Sequence, residues 1–164
     1  MTAPLRLRPY TGADEGGAIE LWRHSWQHAY PDIDFSARLA WWRERWRNEL
    51  VPGTRITLAE HGGALVGFVT IDPNTGYLDQ IVVAPEAWGS GIAEALLGEA
   101  KRTCPKKIEL HVNTDNARAI RFYERQGFVV TGESTNPLSG RAVFAMRWEP
   151  DDGRQRSNDG DLLM

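Results

Sequence analysis

The chain of 164 residues is poor in several features that would assign it to a functional class. It has a single cysteine, Cys104, so no disulfide can form within the chain, and the cytoplasm is the expected location. No apolar run approaches the roughly 20 residues that cross a bilayer, and no signal peptide is expected at the N-terminus. The net charge is −3 without a block of lysine or arginine, so nucleic-acid binding has no electrostatic support. The cysteine and four histidines lack zinc-ligand spacing, so no metal site is expected.

What remains is the composition of an ordinary globular domain. Hydrophobic residues make up 41% of the chain and charged residues 25%, and this length suits one domain with one core. From about Glu149 the sequence EPDDGRQRSNDGDLLM is polar and nearly free of apolar side chains. We therefore expect one domain over residues 1–149 and a polar C-terminal tail over residues 150–164.

Hydrophobic periodicity predicts the order β-α-α-β-β-β-α-β-α-β-β. Strands are expected where apolar and polar residues alternate, in segments 5–9, 54–60, 64–72, 77–84, 107–112, 128–134 and 142–148. One helix is expected from the cap Thr11 to Pro31, and a second from the cap Ser36 to Pro52. Two more are expected from Gly91 to Cys104 and over residues 116–126. The tryptophans at 22, 26, 42 and 46 have helical spacing and are assigned to the core. This pattern indicates an α/β fold: a single domain with one mixed, mostly antiparallel sheet flanked by helices.

The segment APEAWGSGIAEALLGEA, Ala84 to Ala100, places Gly89 and Gly91 where a helix should begin. Two interpretations compete for these glycines. They provide a loop that needs positive φ, or they open a row of backbone N–H groups that holds a phosphate at a helix N-terminus. The spacing is not that of a dinucleotide-binding fingerprint, because position 94 is glutamate, and no P-loop lysine follows.

Two motifs resemble those of the GNAT superfamily of acetyl-CoA-dependent N-acetyltransferases. The segment LDQIVVAPEAWGSGIAEALL resembles the pyrophosphate-binding motif Gln/Arg-x-x-Gly-x-Gly/Ala, here Trp88 to Ala93. The segment LHVNTDNARAIRFYERQGF resembles the signature Asn-x-x-Ala-x-x-Phe-Tyr-x-x-x-Gly-Phe. Its matching positions are Asn116, Ala119, Phe122, Tyr123, Gly127 and Phe128. Both motifs stand in the family's order, and the resemblance covers about residues 4–148, so it implies the acyl-CoA N-acyltransferase fold.

The resemblance also implies a set of residues that bind acetyl-CoA, the acetyl donor. In the family the strand before the glycine loop carries a bulge, splays from the next strand, and bonds the pantetheine arm through its backbone. The resemblance thereby assigns Ile81, Val82 and Val83 to the binding of the pantetheine arm. The pyrophosphate is assigned to Trp88, Gly89, Ser90, Gly91, Ile92 and Ala93. Asn116 caps or begins its helix, bonds the cofactor arm, or does both. One position departs from the family pattern, because Trp88 stands where glutamine or arginine is usual. We expect weaker cofactor binding or a repacked loop there, since the backbone amides remain.

Tyr123 matches the family tyrosine that protonates the leaving thiolate or stabilises it. An acceptor ammonium must also lose a proton, and two side chains are candidates for the general base. Asp79 lies two residues before Ile81, and His111 lies on the neighbouring predicted strand. His28 and Tyr30 follow the first helix, where the family's acceptor loop lies. Either they line the acceptor site, or His28 is simply exposed to solvent and Tyr30 is buried in the core. Cys104, before Pro105, is interpreted as a core residue at a helix end and not as a nucleophile.

We therefore predict an N-acetyltransferase that moves an acetyl group from acetyl-CoA to a primary amine within a ternary complex. Tyr123 and Asp79 are its predicted catalytic residues. The alternative is a non-catalytic acyl-CoA-binding or regulatory module, and a stand-alone nucleotide-phosphate binder is a weaker third. The expected partner is a small-molecule or peptide amine, with neither nucleic acid nor membrane. A homodimer stays open, as does the identity of the amine.

Overall fold

The computed structural model describes residues 4–151, which form two compact units divided between Cys104 and Pro105. The predicted tail falls mostly on residues 152–164, outside the described part of the chain. The domain boundaries 1–149 and 150–164 therefore stay a prediction.

The first unit holds one antiparallel sheet of four strands in the order β1-β2-β3-β4. The strands are β1 (Leu5–Pro9), β2 (Arg55–His61), β3 (Ala64–Ile71) and β4 (Leu78–Val83). The helices are α1 (Glu15–Ala29), α2 (Leu39–Arg45), α3 (Val51–Gly53) and α4 (Ile92–Thr103). Strands β2 and β3 form a hairpin: Gly62 and Gly63 have φ of 63° and 82°, the positive values that a tight two-residue hairpin turn requires.

Helix α1 begins after a short 3-10 turn, Gly12–Asp14, at the predicted cap. The Asp14 carboxylate accepts hydrogen bonds from the Thr11 backbone N–H at 2.9 Å and from the Thr11 hydroxyl at 3.0 Å. Both oxygens of the same carboxylate also accept from the Arg8 guanidinium, at 2.9 and 2.7 Å. Asp14 therefore ties the start of α1 to β1, because one side chain serves both elements.

The second helical segment differs from its prediction at its start and in its middle. It runs through a 3-10 turn (Ser36–Arg38), α2, a π-helical turn (Trp46–Leu50) and α3. Ser36 is not the cap that the sequence predicted, because the Ala37 N–H donates to the Asp34 carboxylate at 3.2 Å. The π-helical turn was not predicted; it adds one residue to a turn.

The core of the first unit is rich in aromatic rings. Trp22 stacks on Trp42 with ring centroids 4.4 Å apart and planes 9° apart. Trp46 meets Phe68 edge-on at 5.3 Å. The predicted core role is confirmed for these three tryptophans, which are buried, whereas Trp26 is half-buried against the same cluster. Packed rings of this size fix α1 and α2 on the sheet.

The second unit holds β5 (Ile108–Asn113), α5 (Ala117–Arg125), β6 (Val129–Thr135) and β7 (Ala142–Trp148). Its three strands are antiparallel in the order β5-β7-β6. Gly127 follows α5 with φ of 97°, the left-handed conformation that is common just after a helix. A Cβ there would lie 3.2 Å from the Trp148 ring, so glycine is favoured by packing as well as by φ.

The predicted order of elements and the predicted fold class are confirmed. One detail differs, because the described strand pairs form two fully antiparallel sheets and not one mixed sheet. Alternating residues indicate which segments are strands, but they do not indicate which strands become neighbours.

Candidate functional site

The loop between β4 and α4 has the backbone that its two glycines predicted. After a 3-10 turn, Pro85–Ala87, Gly89 and Gly91 have φ of 80° and 89°, values that strain any residue with a Cβ. Within residues 4–151, a Cβ built on either glycine has no heavy atom within 4 Å. The glycines are therefore required by backbone conformation, and the space beside them is open to a ligand.

The N-terminus of α4 has no side-chain cap among the described residues. Its N-cap residue is Gly91, and the first helical bond runs from the Ala95 N–H to the Gly91 carbonyl at 3.1 Å. The N–H groups of Ile92 and Ala93 precede that bond, so the helix itself offers them no acceptor. Amides of this kind, at the positive end of a helix dipole, suit a phosphate group.

One edge of β4 presents alternate backbone groups away from the sheet. The Ala84 N–H donates to the Val66 carbonyl at 2.8 Å, and Val82 pairs with Phe68, so these residues face β3. By alternation, the N–H and C=O groups of Ile81 and Val83 face the other way. Among the described strands β4 is the last of its sheet, so its outer edge can accept an extended ligand.

The bulge that the resemblance implied lies in β4, at Asp79. The pairing changes from Thr70 opposite Gln80 to Ile71 opposite Leu78, which leaves Asp79 as the additional residue. The Gln80 N–H then donates to the Thr70 hydroxyl at 3.0 Å.

The Asp79 carboxylate forms a two-pronged ion pair with Arg45 of α2. Nη1 of Arg45 donates to Oδ1 at 2.9 Å and Nη2 donates to Oδ2 at 2.5 Å. The pair raises the pKa of Arg45, with the hydrogen bond to Asp79 as the main cause. Burial, reinforced by the Asp79 charge, raises the pKa of Tyr77 to about 12. The general-base role of Asp79 stays a prediction, and any proton it takes has to reach a carboxylate that Arg45 already holds.

Trp88 turns its indole toward the end of β4. Its Nε1–H donates to the Val83 carbonyl at 2.9 Å, and the Ser25 hydroxyl of α1 donates to the same oxygen at 3.2 Å. The His28 and Trp88 rings meet edge to face, with their centroids 5.1 Å apart. The Ser90 hydroxyl donates to the Ala87 carbonyl, which tightens the loop further. These contacts describe how the loop packs around Trp88, and the expectation of weaker cofactor binding or a repacked loop stays a prediction.

The signature residues lie on α5 in the second unit. Asn116 is the N-cap of α5, with its Oδ1 accepting from the Ala119 N–H at 3.3 Å, so the capping interpretation is confirmed. Tyr123 is 7% exposed, and its ring lies 5.4 Å from those of Phe122 and Phe128. The roles of Asn116 toward acetyl-CoA and of Tyr123 in proton transfer stay predictions.

The other candidates are placed as follows. His111 lies on β5 opposite Ala145 and is exposed. His28 is exposed near the C-terminus of α1, and Tyr30 is half-buried and stacks on Trp26 at 5.8 Å. Cys104 is buried, and burial raises the pKa of its thiol, which agrees with a core role.

Sequence reasoning missed the residues of α1 that meet the glycine loop. Ser25 is buried and bonds Val83, and His24 pairs with Glu86 in the 3-10 turn. This pair lowers the pKa of Glu86, chiefly through the hydrogen bond from His24. Ser25 had one signal: it is a hydroxyl residue three positions after Trp22, on the apolar face of its helix.

Comparison with known proteins decides the family. A model of the acetyltransferase (GNAT) family matches residues 17–128, more than half of the chain. The chain belongs to this family. The predicted membership and the predicted enzyme class, an acyltransferase, are therefore confirmed.

Two curated relatives are N-acetyltransferases by name. The 5-NmdU N-acetyltransferase of Pseudomonas phage PaMx11 is 36% identical over 94 residues, which are 54% of this chain and 66% of the phage protein. The peptidyl-lysine N-acetyltransferase YiaC of Escherichia coli is 29% identical over 133 residues, which cover 79% of this chain and 87% of YiaC.

The fold has solved counterparts. PaiA N-acetyltransferase from Thermoplasma acidophilum, in complex with coenzyme A, aligns with a TM-score of 0.73 at 22% identity, over 90% of this chain and 99% of PaiA.

The helices found between residues 4 and 151 are all too short or too polar to cross a lipid bilayer. The same residues contain no group of three or more histidine, cysteine, aspartate or glutamate side chains placed to hold a metal ion. The expectation of a metal-free site stays a prediction.

Proposed function

We propose that the protein is an acetyl-CoA-dependent N-acetyltransferase that transfers the acetyl group directly to a primary amine. One observation supports this most: the uncapped N-terminus of α4 follows two glycines with positive φ and open space beside them. These backbone amides can bind the pyrophosphate of the donor without a lysine or a metal ion. The outward groups of Ile81 and the outward N–H of Val83 extend the donor site along β4.

The reaction needs three proton movements. In our proposal the acceptor ammonium first gives one proton to Asp79 through water. The neutral amine nitrogen then attacks the thioester carbonyl, the new C–N bond forms, and the C–S bond breaks. Tyr123 gives its phenolic proton to the departing thiolate, and the proton that the attacking nitrogen loses returns to the Tyr123 oxygen through water. His111 is the second candidate for the base. No covalent acyl-enzyme is proposed, because the one cysteine is buried at the C-terminus of α4.

The acceptor is proposed only as a class. YiaC acts, by its name, on peptidyl lysine, so a primary amine on a peptide or a small molecule fits this family. Loop residues around 26–36 and 134–141 are the expected determinants, because acceptor choice lies in loops and not in the shared scaffold. The cytoplasmic location and a homodimer stay predictions.

The first test is calorimetric titration of the wild-type protein with acetyl-CoA, CoA and ATP. We expect both CoA compounds to bind and ATP to bind at least about tenfold more weakly, since ATP has no pantetheine arm for the β4 edge. If neither CoA compound binds, the proposed function is wrong. A screen of amines by release of free thiol then identifies the acceptor.

Tyr123→Phe separates the enzyme from the alternative binding module. If Tyr123 is the acid, this variant should lose about 10²–10⁴-fold in kcat and keep its affinity for CoA and its melting temperature. A binding module would show no turnover with any amine in the wild type, and the substitution would change nothing. Asp79→Asn gives the parallel test of the base, read from the pH dependence of kcat/KM.

A further inference from the structure

The carbonyl of Val83 is held from two sides by two different elements. Trp88 Nε1–H approaches it from the loop at 2.9 Å, and the Ser25 hydroxyl approaches it from α1 at 3.2 Å. Ser25 is 7% exposed and Trp88 is half-buried, so neither bond is a surface contact exchanging freely with water. A carbonyl oxygen has two lone pairs, and both have a donor here.

These two bonds close the chain on itself immediately before the glycine loop. Val83 is the last residue of β4, and the bond from Trp88 spans the 3-10 turn between them. Gly89 follows Trp88 directly. Glycines lose more conformational freedom on ordering than other residues. A fixed residue on their N-terminal side therefore reduces the entropic cost of ordering the loop when a ligand binds.

The same helix fastens the turn at a second point. His24 bonds the carboxylate of Glu86, and the His28 ring meets the Trp88 ring edge-on at 5.1 Å. His28 lies next to both His24 and Ser25 on the surface of α1, because it follows them by four and three positions. The turn is therefore braced along its length by α1.

We propose that Ser25 and Trp88 are positioning residues that clamp the Val83 carbonyl and thereby hold the glycine loop in its phosphate-binding conformation. This inference rests on the proposed function. The Trp88 side chain acts through the backbone, and its indole N–H is directed at the strand and not at a phosphate. The clamp also limits the edge of β4 that an extended ligand can use, because the Val83 carbonyl is occupied. The groups available to such a ligand are those of Ile81 and the Val83 N–H.

Two variants remove one donor each with little change of shape. Trp88→Phe keeps an aromatic ring beside His28 and loses the N–H, and Ser25→Ala loses the hydroxyl. We expect each to weaken CoA binding about three- to tenfold, the usual effect of one hydrogen bond. The double variant should lose more than the product of the two single effects, because the carbonyl keeps one donor in each single variant and none in the double.

The choice of ligand tests positioning against a general structural defect. CoA carries the pyrophosphate, whereas pantetheine carries only the arm that lies along β4. In the clamp variants the dissociation constant of CoA, from calorimetry, should rise, and that of pantetheine, from NMR titration, should stay within about twofold. The matched control is Trp41→Phe, since Trp41 is 43% exposed on α2; it should change neither constant.

Equal losses for both ligands, no loss for CoA, or strictly multiplicative effects in the double variant would each overturn the clamp. If Trp88→Phe does not fold, Ser25→Ala carries the same comparison of ligands. Failure of the clamp is distinguishable from failure of the proposed function. In the first case wild-type protein binds CoA and the variants match it, and in the second the wild type does not bind CoA.

Discussion

Gly67 of β3 packs against helix α4 without room for a side chain. A Cβ at this residue would lie 2.9 Å from the Val82 carbonyl oxygen, 3.0 Å from Cδ1 of Leu96 and 3.3 Å from Cγ2 of Ile92. The first atom belongs to the backbone of β4 and the last to the first residue of α4. A side chain at position 67 therefore pushes on the strand and the helix that form the two sides of the glycine loop.

We expect Gly67→Ala to lower the free energy of unfolding by about 1–3 kcal/mol, the usual cost of overpacking a core. For a chain of this size each kcal/mol corresponds to about 2–4 °C in melting temperature, so the loss should be about 2–12 °C. CoA affinity should fall as well, because Ile92 and its N–H move with the start of α4. Thermal unfolding followed by circular dichroism, with calorimetric titration of CoA, measures both effects.

Gly98→Ala, in the interior of α4, is the matched control. A Cβ there has only one neighbour near contact distance among the described residues, Nη1 of Arg102 at 4.0 Å. Alanine in a helix interior is favoured over glycine, so this variant should gain about 0.5–1 kcal/mol. The reasoning is refuted if Gly67→Ala melts at or above the wild-type temperature, or if both variants shift in the same direction.

Two further outcomes follow from the described contacts. Asp14→Ala should cost about 1–3 kcal/mol in urea unfolding, because it removes the acceptor of the Thr11 N–H at the start of the helical segment and one of the two carboxylate partners of Arg8. The guanidinium holds the pKa of Asp14 well below its usual range, so the difference from wild type should be complete above an unfolded pKa of ~3.9 and shrink as the pH falls further through the folded pKa; a constant difference down to strongly acidic pH would contradict this. Cys104 should react with a thiol reagent at pH 8 at least about tenfold more slowly in the native protein than in denaturant, because its thiol is buried, and equal rates would show that it is accessible.

Local periodicity predicted the helix faces well because each face is set within a few turns of chain. The apolar residues of α4 recur at helical spacing, and the buried ones are Ile92, Leu96, Leu97 and Ala100. The π-helical turn after α2 escaped prediction, since the apolar spacing around Trp46 fits an ordinary α-helix as well. The division into two sheets escaped for another reason, because strand pairing is decided by residues far apart in the sequence.

In the candidate site too, features set by neighbouring residues were predictable, whereas contacts between distant residues were not. The positive φ of Gly89 and Gly91 was predictable, since only glycine adopts it without strain. The partner of Trp88 was not, because its bond to Val83 depends on how the intervening turn reverses the chain. The pairing of Asp79 with Arg45 joins residues 34 positions apart, and nothing in the local sequence of either marks the other.

The two helices that carry the motif residues begin in opposite ways, and this contrast gives a test of Asn116. Helix α4 begins at a glycine without a side-chain cap among residues 4–151, whereas Asn116 caps α5 with its Oδ1. The cap uses the Oδ1 atom through the Ala119 N–H, whereas the Nδ2 group is the hydrogen-bond donor of this side chain and can bond an acceptor atom of the donor substrate.

Substitution separates the two roles of Asn116. Asn116→Ala should lose about 0.5–2 kcal/mol of stability, whereas Asn116→Ser keeps a good cap and should stay near the wild type. Both variants lack Nδ2, so both should bind CoA more weakly if Asn116 contacts the donor. Calorimetric titration of the two variants, with their melting temperatures, decides the matter. If Asn116→Ser binds CoA as tightly as the wild type does, Asn116 serves its helix alone, and the family signature at this position reflects capping and not binding.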